Sequence, residues 1–372
     1  MIFSREIGTF GIIEIIKNSI SGSFWIIIAA FLSPNEYGEI NYLITVAATG
    51  ANFASIFTQN VITVFYAKKE SIARTVTYTN LFVGLFSSIT LLIIFEKIDL
   101  AVLVIGFILN NTFLGEFIGK KQFQKYGKYV ITQKILMVAF CILVIIILDY
   151  SGFIIAITAS YLIFLIHFFK KLKKNQFNLK IIITKKNFLV NNYVNLQLGY
   201  MINQIDRFLI LPILGSTILG NYVLGIQFLT LLTTAGGLFY NYILTYDSRK
   251  INLIKLKKIS IIISCLLTLG GIFILPSLIE WLFPQYIESI FAIQILSFVV
   301  VPHSLYLIFS SKLLSLEKSR EILYANLCAL IIQITLLISL GNYYGIIGAS
   351  ISYVVGSITM TIICFIYYKK NN

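Results

Sequence analysis

Two short runs hold residue types that an apolar chain seldom carries. Glu14, Lys17, Asn18 and Ser21 follow one another at spacings of three, one and three. Those spacings put all four on one face of a helix. Asn192, Asn195, Gly199, Asn203, Asp206 and Arg207 form a second such face. The chemistry open to them is ionic and polar. Glu14 and Lys17 have the i,i+3 spacing of an ion pair, and Arg207 could reach toward water along its aliphatic stem. The other reading is a wet cavity, because a charge at the centre of a bilayer costs about 3 kcal/mol or more.

Two further stripes are uncharged. Asn41, Thr45, Thr49, Asn52, Ser55 and Gln59 recur at helical spacing, as do Gln227, Thr230, Thr234, Gly237 and Asn241. Four pairs (45/227, 52/234, 55/237 and 59/241) share one offset of 182 positions. Hydroxyls in membrane helices often bond their own backbone. Two matched stripes holding Asn and Gln favour a water-lined face. The residues expected at a substrate cavity are therefore Glu14, Lys17, Asn18, Asn52, Gln59, Asn203, Asp206, Arg207, Gln227 and Asn241.

Other chemistry is hard to place. Cys141, Cys265, Cys328 and Cys364 all fall in apolar runs and form no CxxC pair, so buried free thiols are expected, with neither metal nor disulfide. His167 and His303 are too scattered for a metal site, and His303 reads as a packed residue. Glu116 is expected to form a surface ion pair with Lys120. No nucleophile elbow, acid pair or metal-ligand spacing supports catalysis. No GxxxxGK[ST] stretch supplies a nucleotide site. No catalytic residue, enzyme activity or cofactor is expected.

The elements that must carry these residues are membrane helices. Of 372 residues, 58% are apolar and only 12% charged. A soluble domain carries about 25% charged residues. A spanning helix needs about 20 largely apolar residues. Twelve runs qualify, over 8–32, 39–66, 77–95, 99–118, 130–148, 152–169, 188–214, 219–245, 259–281, 288–310, 321–339 and 344–368. The opening run, interrupted by Glu14 and Lys17 with no small-residue cleavage pattern after it, does not read as a cleaved signal peptide.

Basic residues alternate between connections. They collect after spans 2, 4, 6, 8 and 10 and in the tail at Lys369 and Lys370. The opposite connections hold one base, Lys97, and gather Glu36, Glu39, Glu96, Asp99, Asp149, Glu280 and Glu288. Short basic loops stay cytoplasmic, which places both termini inside. The net charge of +14 then serves topology and anionic membrane lipids, not nucleic acid.

The basic stretch 170–187 divides the chain into two six-helix lobes, 1–169 and 188–372. Both lobes start on the same side, giving a parallel repeat about an axis along the membrane normal. "LSPNEYGEINY", from Leu32, has an echo in "LGSTILGNY", from Leu214. Leu32 and Leu214 are 182 apart, as are Gly38 and Gly220. The first stretch reads as an outer turn, with Pro34 ending one helix and Gly38 helping to start the next.

The N-terminal pattern, with Leu32, Pro34, Tyr37, Gly38 and Tyr42, resembles the polysaccharide-repeat flippases of the Wzx-like, O-antigen type. "NQIDRFLILPILGSTILGNYVLGIQF", with Asp206, Leu214, Gly220 and Tyr222, is similar to that family's second-half entry. "YYGIIGASISYVVGSITMTIICFIYYKK", with Gly345, Gly348 and Ala349, is similar to its closing helix. The resemblance implies the fold of the multidrug/oligosaccharidyl-lipid/polysaccharide exporter superfamily, with spans 1, 2, 7 and 8 bordering a central cavity. It implies movement of polyprenyl-pyrophosphate-linked oligosaccharide to the outer leaflet of the cell membrane by alternating access. Lipid-linked oligosaccharide and polysaccharide assembly proteins would be the partners of a monomer. Lys17 and Arg207 would meet pyrophosphate, amides would meet sugar, and Glu14 or Asp206 would carry a coupling proton. The rivals are a drug or cation antiporter of the same superfamily and an integral-membrane glycosyltransferase or polymerase.

The orientation can be tested directly. A cysteine at Asn35 should react with an impermeant maleimide from outside the cell, and one at Lys125 only after the membrane is opened. The reverse pattern would invert the topology.

Overall fold

Backbone groups inside a bilayer must bond within their own segment, so the apolar runs fold as helices. The computed structural model describes residues 2–68, 73–165, 183–248, 253–316 and 318–370, and no strand occurs among them. Its helices are α1 (Ile2–Ala29), α2 (Pro34–Ala54), α3 (Gln59–Ala67), α4 (Ala73–Phe95), α5 (Ile98–Gly119), α6 (Phe123–Leu148) and α7 (Phe153–Ser160). The second half has α8 (Lys186–Leu214), α9 (Ser216–Ser248), α10 (Ile254–Phe273), α11 (Leu275–Leu282), α12 (Ser289–Ser297), α13 (Val300–Ser315) and α14 (Ser319–Lys370). Most of the 170–187 linker, His167, Lys69, Arg249 and Lys250 lie outside the described residues.

Among the described residues, eight helices are long and apolar enough to cross a membrane unaided, and the bent pair α2–α3 makes a ninth. Helix α14 holds two helices joined at Gly345, whose φ of 56° is left-handed and free of penalty only for glycine. The shorter apolar helix from Phe153 and the polar α8 complete twelve passages. The protein is thus an all-helical, multi-pass membrane protein. Its outward faces are apolar: Ile93 on α4, Ile146 on α6 and Tyr343 on α14 are more than two-thirds exposed.

The chain divides into two compact units. The first comprises residues 1–24 and 43–197, the second 25–42 and 198–372. In the first, α5 packs against α3, α4 and α7. In the second, α13 packs against α9 and α14, and α12 lies against the same two helices. Residues 25–42 thus fold with the second half of the sequence.

Several expectations need correction. Pro34 does not end a helix; it opens α2, where its missing N–H is harmless. Ser33 and Glu36 form a capping box: Ser33 N–H donates to Glu36 Oε2 at 2.8 Å, and Glu36 N–H to Ser33 Oγ at 3.4 Å. Gly38 lies inside the helix and does not start it.

The run 39–66 is not one helix either. It breaks between Ala54 and Gln59, and α2 and α3 meet at 42°. Asn80 of α4 bonds both freed backbone groups of Phe57, accepting from its N–H at 3.0 Å and donating to its carbonyl at 2.9 Å. Thr58 caps α3 through Val61 N–H.

Cys141 and Cys364 are buried, but Cys265 and Cys328 lie exposed on their helices, where a thiol is apolar enough for lipid contact. Glu116 does pair with Lys120, at 2.6 Å, yet its carboxylate is buried and not at the surface. Lys120 also lies over the ring of Tyr66.

The echo at Leu214 has a physical counterpart in the second unit. Helices α2 and α9 touch backbone to backbone. A Cβ at Gly38 would overlap the Ser216 carbonyl oxygen, and one at Gly220 would overlap the Pro34 carbonyl oxygen. The contact is reciprocal, for Ser216 is to Gly220 what Pro34 is to Gly38, four residues earlier in each repeat. Ser216 Oγ also donates to Asn35 Oδ1. Around the crossing, Tyr286 hydroxyl and Gln285 Nε2 both donate to the Leu32 carbonyl at 2.8 Å. Gly38→Val or Gly220→Val should destabilise the protein by about 1–3 kcal/mol or more, the usual cost of overpacking. The loss should appear in detergent unfolding curves, and an unchanged midpoint for both variants would remove the crossing as a packing constraint.

Candidate functional site

The expected site residues fall into the two units. Glu14, Lys17, Asn18, Asn52 and Gln59 belong to the first, and Asn203, Asp206, Arg207, Gln227 and Asn241 to the second. The side chains of Asn195 and Asn241 lie outside the described ones.

In the first unit, α1 rests on the start of α6. Phe10 packs on Phe123 and Tyr126, and Gly127 leaves room for Ile13. That seat presents Glu14 to the Tyr126 hydroxyl, which donates to Oε1. Lys17 Nζ donates to Oε2 at 2.6 Å, so the i,i+3 ion pair forms, with both side chains about a quarter to a third exposed. Asn18 is exposed beside them. Lys134 of α6 lies within electrostatic reach of Lys17. It is 11 residues into α6, ~16 Å along the axis at 1.5 Å per residue. Two lysines therefore lie within electrostatic reach of each other, and Glu14, the partner of Lys17, is already bonded twice.

Lys134 is absent from the sequence-based set of site residues. Its signal was available: one lysine inside the apolar run "ITQKILMVAF". Bases sorted by connection draw the eye to loops and past a base within a span.

The polar stripes are largely self-satisfied. Thr49, Ser55, Thr230 and Thr234 each donate to the carbonyl four residues earlier on the same helix. Asn41 donates to the Tyr37 carbonyl in the same way. Backbone carbonyls just before the α2 break are bonded from another helix. Gln197 Nε2 donates to the Asn52 carbonyl at 2.8 Å, and Tyr193 hydroxyl to the Phe53 carbonyl at 2.8 Å. The first turns of α8 thus cover carbonyls that the break exposes. Gln59 opens α3, and its carbonyl accepts from Thr63 Oγ1.

In the second unit, Asp206 is 1% exposed. Its Oδ2 accepts from Tyr222 hydroxyl at 2.7 Å and its Oδ1 from Arg207 N–H at 2.8 Å. The carboxylate thereby ties α8 to α9. Arg207 is part-buried, and its Nε has no hydrogen-bond partner among the described residues. Tyr37 lies in the electrostatic field of Arg207, with Asn41 and Gln227 as neighbours. Asn203 donates to the Gly199 carbonyl and remains exposed. Among the described residues, no group of three His, Cys, Asp or Glu side chains is placed to hold a metal ion.

A twelve-passage helical protein with intramembrane bases in each of its units defines the class: a multi-pass protein with the fold of the MOP-superfamily transporters. Solved structures give the particulars. One is described as "Lipid II flippase MurJ, inward closed conformation": TM-score 0.72, 13% identity, covering 97% of this chain and 87% of that one. Another is an inward-facing multidrug-resistance MATE transporter of the MOP superfamily: TM-score 0.69, 13% identity, covering 95% and 94%. A third is a MOP-superfamily transporter from Pyrococcus furiosus, described by a binding pocket of reverse polarity: TM-score 0.54, 15% identity, covering 99% and 94%. No protein-family model matches the chain, and no curated protein matches its sequence.

Tyr222→Phe should leave Asp206 Oδ2 buried without its donor, at a cost of about 1–3 kcal/mol. Denaturant unfolding in mixed micelles measures it. A cost near zero would mean that the carboxylate is held by other groups.

Proposed function

We propose that the protein is a flippase that moves polyprenyl-pyrophosphate-linked oligosaccharide from the cytoplasmic to the outer leaflet of the cell membrane by alternating access. One observation carries the reading: bases outnumber free acids along the polar helices. Lys17 has Glu14 as its partner, a carboxylate that Tyr126 also engages, and Lys134 lies within electrostatic reach of Lys17. Arg207 keeps a buried Nε with no acceptor among the described residues, while Asp206 is spent on Tyr222 and a backbone N–H. Charge-assisted bonds from such donors suit a pyrophosphate, and arginine in particular suits its geometry. Asn18, Asn52, Gln59, Asn203, Gln227 and Asn241 supply the amides that sugars hydrogen-bond. The likeness to a lipid II flippase fits the same substrate class, and the fold suits alternation between two lobes.

A drug or cation antiporter of the same superfamily is the second reading, favoured by the likeness to MATE transporters. A cationic substrate wants an acid without a base beside it. Glu14 has Lys17 at 2.6 Å, and Asp206 already accepts two hydrogen bonds. Proton coupling, if present, would draw on Glu14, whose side chain keeps contact with solvent.

Reconstitution into vesicles with a lipid-linked oligosaccharide tests the proposal, reading headgroup accessibility to an impermeant reagent or lectin. Lys17→Ala combined with Arg207→Ala should slow flipping about tenfold or more, since each charge-assisted bond is worth about 1.5–3 kcal/mol. Lys134→Met should add to that loss. Flipping unchanged in the triple variant would sink the phosphate assignment. Accessibility unchanged on adding the wild-type protein, across lipids and ion gradients, would sink the flippase.

A further inference from the structure

The second unit contains a cavity of about 200 Å³ among α8, α13 and α14. A cavity of about 150 Å³ accepts a benzene ring, so this one has room for a single six-membered ring with its substituents. Its polar wall consists of Asn203, His303, Tyr306, Asn326, Gln333 and Ser357. Tyr353 adds a third aromatic face beside those of His303 and Tyr306, and the rest of the lining, Ile202, Val299, Ala329 and Met360 with two glycines, is apolar.

Two features set this cavity apart from a packing defect. Gln333 is 4% exposed, yet its Nε2 has no hydrogen-bond partner among the described residues, and the buried Ser357 Oγ has none among them either. An unmade bond at a buried polar group costs about 1–3 kcal/mol, so two on one wall point to a missing ligand. The backbone holds them in place as well. A Cβ at Gly356 would press at 3.3 Å on Gln333 Cβ and lie 3.6 Å from its Oε1, so a side chain there would displace the amide. On the facing wall, Tyr306 hydroxyl donates weakly to Asn326 Oδ1, at 3.5 Å, leaving both groups free to turn toward a ligand.

The charge of the ligand follows from the wall. The lining side chains include no Asp, Glu, Lys or Arg. The neighbouring Asp206 already accepts from Tyr222 and from Arg207 N–H. Asp206 and Arg207 both lie within electrostatic reach of the lining Tyr353 and offset each other there, so neither a cation nor an anion meets a net charge. Amides, hydroxyls and flat rings together match a neutral polyol, whose hydroxyls take the hydrogen bonds and whose C–H face lies on the rings.

We propose that this cavity seats one neutral, hexose-sized sugar residue of the glycan, an inference that rests on the oligosaccharide reading above. Gln333 and Ser357 bond its hydroxyls, and His303, Tyr306 and Tyr353 pack against its ring.

The test uses the full-length protein in micelles, with exposed Cys265 and Cys328 replaced by Ala and Ser357→Cys as reporter. Neutral methyl hexosides, at concentrations well above their dissociation constants, should slow labelling of that cysteine by a small uncharged thiol reagent about tenfold. Gln333→Leu should abolish the protection while leaving thermal stability equal or higher, because it removes an unsatisfied donor. Met360→Cys, one turn further along the same helix, is the reporter if the first variant does not fold. Labelling unaffected by any neutral hexoside at both positions would overturn the proposal, as would protection by sodium or potassium salts alone. Protection that survives Gln333→Leu would overturn the assigned contact. Flipping by the wild-type protein is read separately. Flipping without hexoside protection removes the seat and keeps the function; protection without flipping does the reverse.

Discussion

The close approach of α2 to α9 is the constraint on which the outer corner depends. Two carbonyl oxygens occupy the space where two Cβ atoms would be, so only glycine at 38 and at 220 admits the contact. Everything near it is arranged around that approach. The capping box at Ser33 and Glu36 fixes where α2 begins. Tyr37 is fully buried and donates to the Trp25 carbonyl at 3.1 Å, closing the turn on itself. Gln285 and Tyr286 then take up the Leu32 carbonyl, which the turn leaves over. The consequence for the fold is that residues 25–42 are built into the second unit despite their place in the sequence.

Away from that corner, the recurring problem is a polar group with no water to answer it. The chain solves it in three ways. A helix break is clasped by one amide, Asn80 holding both backbone groups of Phe57. A buried acid is shared between helices, Asp206 through Tyr222 and Asp247 through Lys257 at 2.8 Å and Ser311 at 2.8 Å. Hydroxyls are returned to their own helix, as along α2 and α9. Lys17 and Lys134 are left within electrostatic reach of each other, and Arg207 Nε and Gln333 Nε2 find no partner among the described residues. Groups that escape a general solution are where a ligand has reason to bind.

Much of the architecture was legible in the sequence, because apolar run length is a direct consequence of bilayer thickness. The twelve passages could be read that way, although the break at residues 55–58 could not. Its freed backbone groups are met by Asn80, some 23 positions from Phe57, and an amide in a span looks the same whether it clasps a break or faces a cavity. The echo of Gly38 at Gly220 was visible, but its meaning lay in which carbonyls stand opposite. Asp206 stood out as an intramembrane acid and Tyr222 as a motif residue, but their pairing did not, since 16 positions of sequence do not say which hydroxyl faces a carboxylate. The same limit applied to Gln333 and Ser357, which are ordinary in sequence and notable only for the partners they lack.

The glycine contact is also a symmetric one. Gly38 meets the Ser216 carbonyl as Gly220 meets the Pro34 carbonyl, the two pairs related by the offset of 182 positions. Self-complementary surfaces of this kind are what a two-fold dimer presents. Within one chain the same geometry means that neither helix can slide along the other without both contacts failing together, so the crossing fixes register as well as distance.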